Sequence, residues 1–387
     1  MTIKKVESLK VKNILVVFGT RPELIKLFPI IELMRNDPRI SLKICNSGQH
    51  KEMLVDFLNL FNIQCDFELN VMQPGQNLNQ MSSKIMSGLN EILSQSKYDI
   101  VVVHGDTTTA MCAALAAFNM RIQVAHIEAG LRTDNLLSPW PEEGNRRLIG
   151  KIANFHFTPT ERARENLIKE NITASSIFVT GNTVIDTLFW CRDLIFSNEE
   201  LRLSLNDKYK SIDFDKRIVL ITAHRRENAG AGFRAIVEAI KQLILHFPDI
   251  EVVFPVHLNP SVNDLMRGNL SNVERVHLYE PVGYVDFVFL MASAFVIMTD
   301  SGGIQEEAPS FDKPVLILRD TSERPEAIDA GTAKLVGTQS KKIVSAFSEL
   351  YENREVYMGM SNSNNPFGDG AAARRILEVI NSGNYGN

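Results

Sequence analysis

Asn13-Ile14-Leu15-Val16-Val17-Phe18-Gly19-Thr20-Arg21-Pro22-Glu23 decides the fold of this chain. After Asn13 the run is apolar without a polar break, which marks a strand covered on both faces, the situation of a parallel sheet packed between helices. Gly19 ends the strand. Pro22 suits the first turn of a helix, and the amphipathic stretch from Pro22 to Arg35 continues it. Strand, tight turn and helix make the first half of a βαβ unit.

The same alternation recurs outward from this element. Candidate strands follow at Leu42 to Asn46, Asp99 to His104, Ile122 to Ile127, Phe155 to Thr158 and Ile177 to Thr180. Helical stretches such as Leu78 to Ser94 and Glu161 to Glu170 separate them. Residues 197–216 are polar and irregular and read as a linker. A second series then begins, with strands at Arg217 to Ala223, Ile250 to Val256, Val273 to Leu278, Phe295 to Thr299 and Val315 to Leu318. The expected architecture is α/β: a domain over 1–196 and another over 217–387, both doubly wound and Rossmann-like, with the last helix packing back on the first. A chain of 387 residues is long enough for two cores. Ligands are expected in a central cleft, at the carboxyl ends of the strands.

Composition narrows the function classes. With 44% hydrophobic and 22% charged residues the chain is of ordinary globular type. A net charge of −5 gives no basic surface for nucleic acid. Cys45, Cys65, Cys112 and Cys191 lie far apart, which suggests neither a disulfide framework nor a zinc knuckle. The first ten residues lack the apolar stretch of a secretory signal, and the apolar run Phe287 to Met298 is too short to span a bilayer. A cytoplasmic protein without a membrane anchor is therefore expected.

Polar groups gather directly after the strands, where parallel sheets bind ligands. In the first half these are Gly19-Thr20-Arg21, Gly48-Gln49-His50, His104-Gly105-Asp106 and His126-Ile127-Glu128. In the second they are His224-Arg225-Arg226-Glu227, His257-Leu258-Asn259 and Asp300-Ser301-Gly302-Gly303. A single such group is an ordinary strand end meeting solvent; their recurrence at every turn is not. The turn at Gly19 offers helix N–H groups and Arg21 to an anion, and Lys26 adds charge one turn on. Ser301-Gly302-Gly303 offers a second cradle, with Glu307 suited to a ribose diol and Glu306 read as an exposed helix carboxylate. Asp106, Glu128 and Glu142 are three carboxylates fit for proton exchange, although Asp106-Thr107 also suits a helix cap. His104 and His126 read as structural.

Three readings stand beside one another at this point. His-x-Asp and His-x-Glu at adjacent strand ends also fit a metallohydrolase. A nucleotide-sugar sensor without turnover is another possibility. Gly230-Ala231-Gly232-Phe233-Arg234-Ala235 matches a loose dinucleotide fingerprint, but it starts well past its strand and no acidic residue ends the next one, so no nicotinamide site is expected.

The motifs together resemble those of the non-hydrolysing UDP-N-acetylglucosamine 2-epimerases, a family with the two-domain fold of the B-type glycosyltransferases. The resemblance runs from Phe18-Gly19-Thr20-Arg21-Pro22-Glu23 through His104-Gly105-Asp106-Thr107, His126-Ile127-Glu128-Ala129-Gly130 and Pro141-Glu142-Glu143-Gly144-Asn145-Arg146. It continues in Gly181-Asn182-Thr183, His224-Arg225-Arg226-Glu227-Asn228, Thr299-Asp300-Ser301-Gly302-Gly303, Glu323-Arg324-Pro325-Glu326 and Asn365-Pro366-Phe367-Gly368. It implies epimerisation at carbon 2 of UDP-N-acetylglucosamine by elimination of UDP and re-addition, with no cofactor and no metal, in a homodimer serving surface-polysaccharide synthesis. It also implies Asp106, Glu128 and Glu142 as acid/base carboxylates, with His224 at the diphosphate. Substrate would be held by Arg21, Lys26, Arg146, Ser301, Gly302, Gly303 and Arg324, ribose by Glu307, and uracil by Phe287 and the backbone near Val282. Gln49, His50 and His257 would form a regulatory site.

Overall fold

The computed structural model describes residues 11–49 and 51–382. Two compact units emerge. One takes the described residues up to Thr187 together with those from Phe367, and the other takes Leu188–Pro366.

In the first unit β1 (Lys12–Phe18), β2 (Ile40–Asn46), β3 (Phe67–Glu68), β4 (Ile100–His104), β5 (Gln123–Ile127), β6 (Phe155–Thr158) and β7 (Ile177–Val179) form a sheet in the order β3-β2-β1-β4-β5-β6-β7. Every pairing is parallel. Because β1 is central, Ile14 lies opposite both Leu42 and Ile100, and its apolar run finds cover on both faces. Leu15 and Val17 pack with Val101 and Val103 against Ile85 and Leu89 of the helix Leu78–Gln95 and against Ala113 and Ala117 of the helix Thr108–Asn119.

The second unit repeats the plan with β8 (Arg217–Thr222), β9 (Ile250–Pro255), β10 (Val276–Tyr279), β11 (Ala294–Thr299), β12 (Val315–Ile317) and β13 (Ala333–Leu335). Its order is β10-β9-β8-β11-β12-β13, again all parallel. Val219 and Ile221 of β8 share a core with Phe233, Ile240 and Leu243 of the helix Ala231–His246 and with Phe347.

Both sheets reverse direction at one place: between β1 and β4 in the first, and between β8 and β11 in the second. Helices leave such a point on opposite faces of the sheet, and the strand ends there open into a crevice suited to ligands.

The polar stretch 197–216 differs from its reading as an irregular linker, because it holds the helix Glu199–Lys208. Asn198 caps that helix by accepting from the Leu201 amide at 3.0 Å, and Glu199 and Glu200 favour its first turn. The helix Ala372–Ser382 belongs to the first unit, where the Asp186 carboxylate accepts from the amides of Ala372 (3.3 Å) and Ala373 (2.9 Å). Among the described residues no helix is long and apolar enough to cross a membrane.

Candidate active site

At the switch point of the first unit, the turn after β1 is built around glycine. A Cβ on Gly19 would stand 2.1 Å from Ser47 Oγ and 2.5 Å from Thr109 Oγ1, so a larger residue would have to displace both hydroxyls. This turn differs from the open anion cradle expected there. The amides of Gly19 and Thr20 donate instead to Glu23 Oε2 at 3.0 and 2.8 Å, as does the Thr20 hydroxyl at 2.8 Å. Glu23 thus fills the helix terminus by a capping box. Thr107 Oγ1 donates to its other oxygen at 2.8 Å, tying the turn after β1 to the turn after β4. Burial pushes the Glu23 carboxyl up to about 7. Arg21 is left exposed, its guanidinium 5.8 Å from the centre of the Phe57 ring.

Two of the three expected carboxylates come together here. Thr107, not Asp106, caps the helix Thr108–Asn119 by accepting from the Ala110 amide at 3.0 Å. That frees the Asp106 side chain, whose Oδ2 accepts from Arg146 Nε at 3.1 Å. Asn145 Nδ2 donates to the Asp106 carbonyl at 2.9 Å. Glu128, the first residue past β5, holds a left-handed φ of 60°, a strained conformation of the kind that collects at functional sites. Its carboxylate accepts from Lys26 Nζ and, at 3.0 Å, from Asn182 Nδ2. A Cβ on Gly105 would lie 3.5 Å from Glu128 Oε2, which places Glu128 beside the turn that carries Asp106. His104 Nε2 stands 3.6 Å from the same oxygen. This is no ion pair, because burial holds the His104 imidazole down to about 4 and hence neutral. His126 is likewise neutral, lowered by burial to about 3, and its Nε2 is bonded to the Gly105 carbonyl at 2.7 Å. His126 thereby braces the turn around Gly105.

Glu142 opens the helix Glu142–Ile152 and is half-buried. No hydrogen bond joins it to Asp106 or Glu128 among the described residues. Four positions separate it from Arg146, so the two share a helix face, and the Arg146–Asp106 pair sets that face toward Asp106. Arg146 also donates to the buried Glu143 at 3.2 Å.

In the second unit the switch point brings the ends of β8 and β11 together. Asp300, fully buried, accepts on Oδ2 from the amides of His224 (2.9 Å) and Arg225 (2.8 Å) and from Asn228 Nδ2 (3.0 Å). Ser301 then precedes the short helix Gly302–Glu307, whose first amides have no carbonyl of their own helix to bond. Arg324 stands beside it, Cζ 4.0 Å from where a Cβ on Gly302 would be. Glu307 Oε1 lies 3.7 Å from the corresponding point on Gly303.

Glu306 is not the exposed carboxylate expected: it is 2% exposed and paired with Arg324. Its carbonyl also accepts from Asn365 Nδ2 at 2.8 Å. Burial raises the Tyr284 phenol and the charge of Glu307 adds to the shift, which brings the start of the helix Tyr284–Ser293 near Glu307. Half-buried Val282 and Phe287 flank that start.

Of the three residues expected at a regulatory site, two are described, one in each unit. Gln49 belongs to the first unit, where it accepts from Thr109 Oγ1 at 3.0 Å. His257 belongs to the second, stacked on His224 with ring centres 5.5 Å apart. His50 lies outside the described residues.

Glu23, Asn182 and Asp300 escaped the sequence reading as site residues. The signal for all three was their place one to five residues after a strand, inside motifs already singled out.

The chain matches the family model described as UDP-N-acetylglucosamine 2-epimerase over residues 32–381. It is 51% identical over 368 residues to the UDP-N-acetylglucosamine 2-epimerase of Escherichia coli K12, covering 95% of this chain and 98% of that one. The crystal structure of the Neisseria meningitidis UDP-GlcNAc 2-epimerase bound to UDP-GlcNAc superposes with a TM-score of 0.86 at 47% identity, covering 95% and 99% of the two chains. The Methanocaldococcus jannaschii enzyme in complex with UDP-GlcNAc and UDP does so with a TM-score of 0.76 at 34% identity, covering 96% and 100%.

Proposed function

Because the chain belongs to the UDP-N-acetylglucosamine 2-epimerase family, we propose that it inverts carbon 2 of UDP-N-acetylglucosamine by eliminating UDP and adding it back. The hydrogen on carbon 2 of a sugar is not acidic, so its removal is coupled to loss of a leaving group. A carboxylate takes the proton, the C2–H electrons form the C1–C2 double bond of 2-acetamidoglucal, and the C1–O bond breaks with its electron pair going to UDP. Re-addition restores that bond while a second group protonates carbon 2 from the other face. The electron count is unchanged, so the reaction calls for no redox cofactor.

The observation that carries this reading is the pair of carboxylates at neighbouring strand ends with different partners, Asp106 on Arg146 and Glu128 on Lys26 and Asn182. Inversion needs a proton acceptor on one face and a donor on the other, and unlike environments suit two carboxyls to unlike roles. Glu142 is the third member, on the helix face it shares with Arg146. Reaction in deuterated water tests the scheme, because the group returning a proton is not the group that removed one.

UDP is assigned to the second unit: phosphates at Ser301, Gly302 and Gly303 with Arg324 and His224, ribose at Glu307, and uracil at Phe287 and the backbone near Val282. The UDP-GlcNAc bound by the Neisseria meningitidis relative supports the substrate. Glu307→Ala is expected to weaken UDP binding by about 1.5 to 3 kcal/mol, the value of hydrogen bonds to a charged group. Unchanged affinity by calorimetry in a folded variant would remove Glu307 from the site. The family resemblance further supports a homodimer as the active form, and a product destined for surface polysaccharide.

A further inference from the structure

We propose that Asp300 is the positioning residue of His224, holding the Nδ1–H of its imidazole so that Nε2 is presented to the diphosphate of the nucleotide sugar. This rests on the role assigned to His224 above.

The placement follows from the sheet. Thr222 of β8 lies opposite Thr299 of β11, and their hydroxyls are bonded at 2.7 Å. The residues just beyond, His224 and Asp300, therefore emerge side by side at the switch point. Three donors on Oδ2 fix the rotamer of the Asp300 carboxylate. Its Oδ1 is buried and accepts no hydrogen bond among the described residues, while His224 Nδ1 lies 3.3 Å away. A buried carboxylate oxygen left without a donor is costly, and Oδ1 cannot turn to seek another without breaking three bonds. A proton on His224 Nδ1 removes that cost.

The rest of the setting agrees. His257 stacks on His224 with an interplanar angle of 18°, and its own Nδ1 accepts from the Asn259 amide at 3.0 Å, so it steadies the ring without competing for Nδ1. Among the described residues, three charged or titratable groups face His224. His257 and Arg225 disfavour the imidazolium, as burial does more strongly, and Asp300 favours it. Asp300 thus does two things. In the neutral ring it selects the Nδ1–H tautomer, and when the ring is protonated it stabilises the cation whose Nε2–H faces outward. As the C1–O bond breaks, that Nε2–H donates to the diphosphate oxygen receiving the electron pair. On re-addition it withdraws as the oxygen attacks carbon 1. The same division of labour, with a carboxylate on one imidazole nitrogen and reaction at the other, serves catalytic triads.

The test is a 15N NMR titration of the full-length protein labelled at histidine, with His224 assigned by the signal lost in His224→Gln. Neutral wild-type His224 is expected to carry its proton on Nδ1. In Asp300→Asn, the amides of His224 and Arg225 still require an oxygen, so the Asn NH2 is turned toward Nδ1. The proton should then move to Nε2, the titration midpoint should fall to lower pH, and kcat should drop by roughly 100-fold, the scale of a misplaced acid or base, with KM changed little. A wild-type His224 protonated on Nε2 would overturn the proposal, whether or not Asp300→Asn folds. So would an unchanged tautomer and kcat in a folded Asp300→Asn. Normal turnover by His224→Gln would instead remove His224 from the reaction, a failure that the tautomer measurement registers separately.

Discussion

Glu128→Gln is expected to lower kcat by about 100-fold or more, the usual contribution of a positioned acid or base. Glutamine keeps the shape of the side chain and can still accept from Asn182, so the turn after β5 should survive. What disappears is the proton-accepting charge beside Lys26, which is itself only 16% exposed. Asp106→Asn and Glu142→Gln should have losses of the same order, for different reasons. Asp106 would lose its pairing with Arg146, whereas Glu142 makes no such pair among the described residues and would lose proton transfer alone. If one of the three serves only re-addition, its variant should release UDP and 2-acetamidoglucal faster than epimer. Initial rates with UDP-N-acetylglucosamine measure all three, and near-normal turnover of every variant would refute the assignment.

Gly130→Ala should destabilise the protein by about 2–6 kcal/mol, because left-handed strain in a non-glycine residue costs about 1–3 kcal/mol and overpacking typically adds about 1–3 kcal/mol. Gly130 has φ 88°, and a Cβ there would stand 2.2 Å from the Ala163 carbonyl oxygen and 2.8 Å from its carbon. Both are backbone atoms, so relief requires moving either the helix Glu161–Lys169 or the turn two residues after Glu128. Activity should fall along with stability. Gly75→Ala is the comparison: φ is similar at 74°, but no described residue lies within 4 Å of the new methyl, so only the strain remains. Urea midpoints at constant slope report the difference. Equal losses at the two sites would show that the Gly130 contact relaxes freely.

Strands were legible where the sheet buries them on both faces. Phe155–Thr158 matches its reading end to end, and β1 and β4 differ from theirs by one residue. The edge strands β3 and β13 were not read, since Phe67–Glu68 and Ala333–Leu335 are two and three residues long and partly exposed. Glu199–Lys208 was missed because a helix with one buried residue, Leu205, has no apolar stripe to show. The same limit governs the site. Glu306 and Glu307 are adjacent acids on a six-residue helix, and which of them faces inward is decided by Arg324, a partner 18 positions away. Glu23 looks like an ordinary first-turn acid; only the packing of β1 against β4 turns it into a buried bridge to Thr107. Motifs after strands reveal which residues reach the switch point, while their pairing there depends on contacts distant in sequence.

Inversion by two groups on opposite faces is the central claim, and the hydrogen on carbon 2 reports on it directly. The protein is incubated with UDP-N-acetylglucosamine in deuterated water, and the recovered sugar nucleotides are examined by proton NMR. The elimination account predicts that the product epimer carries deuterium at carbon 2, because the proton it receives comes from a group equilibrated with solvent. Product that fully retains its original hydrogen would contradict the account.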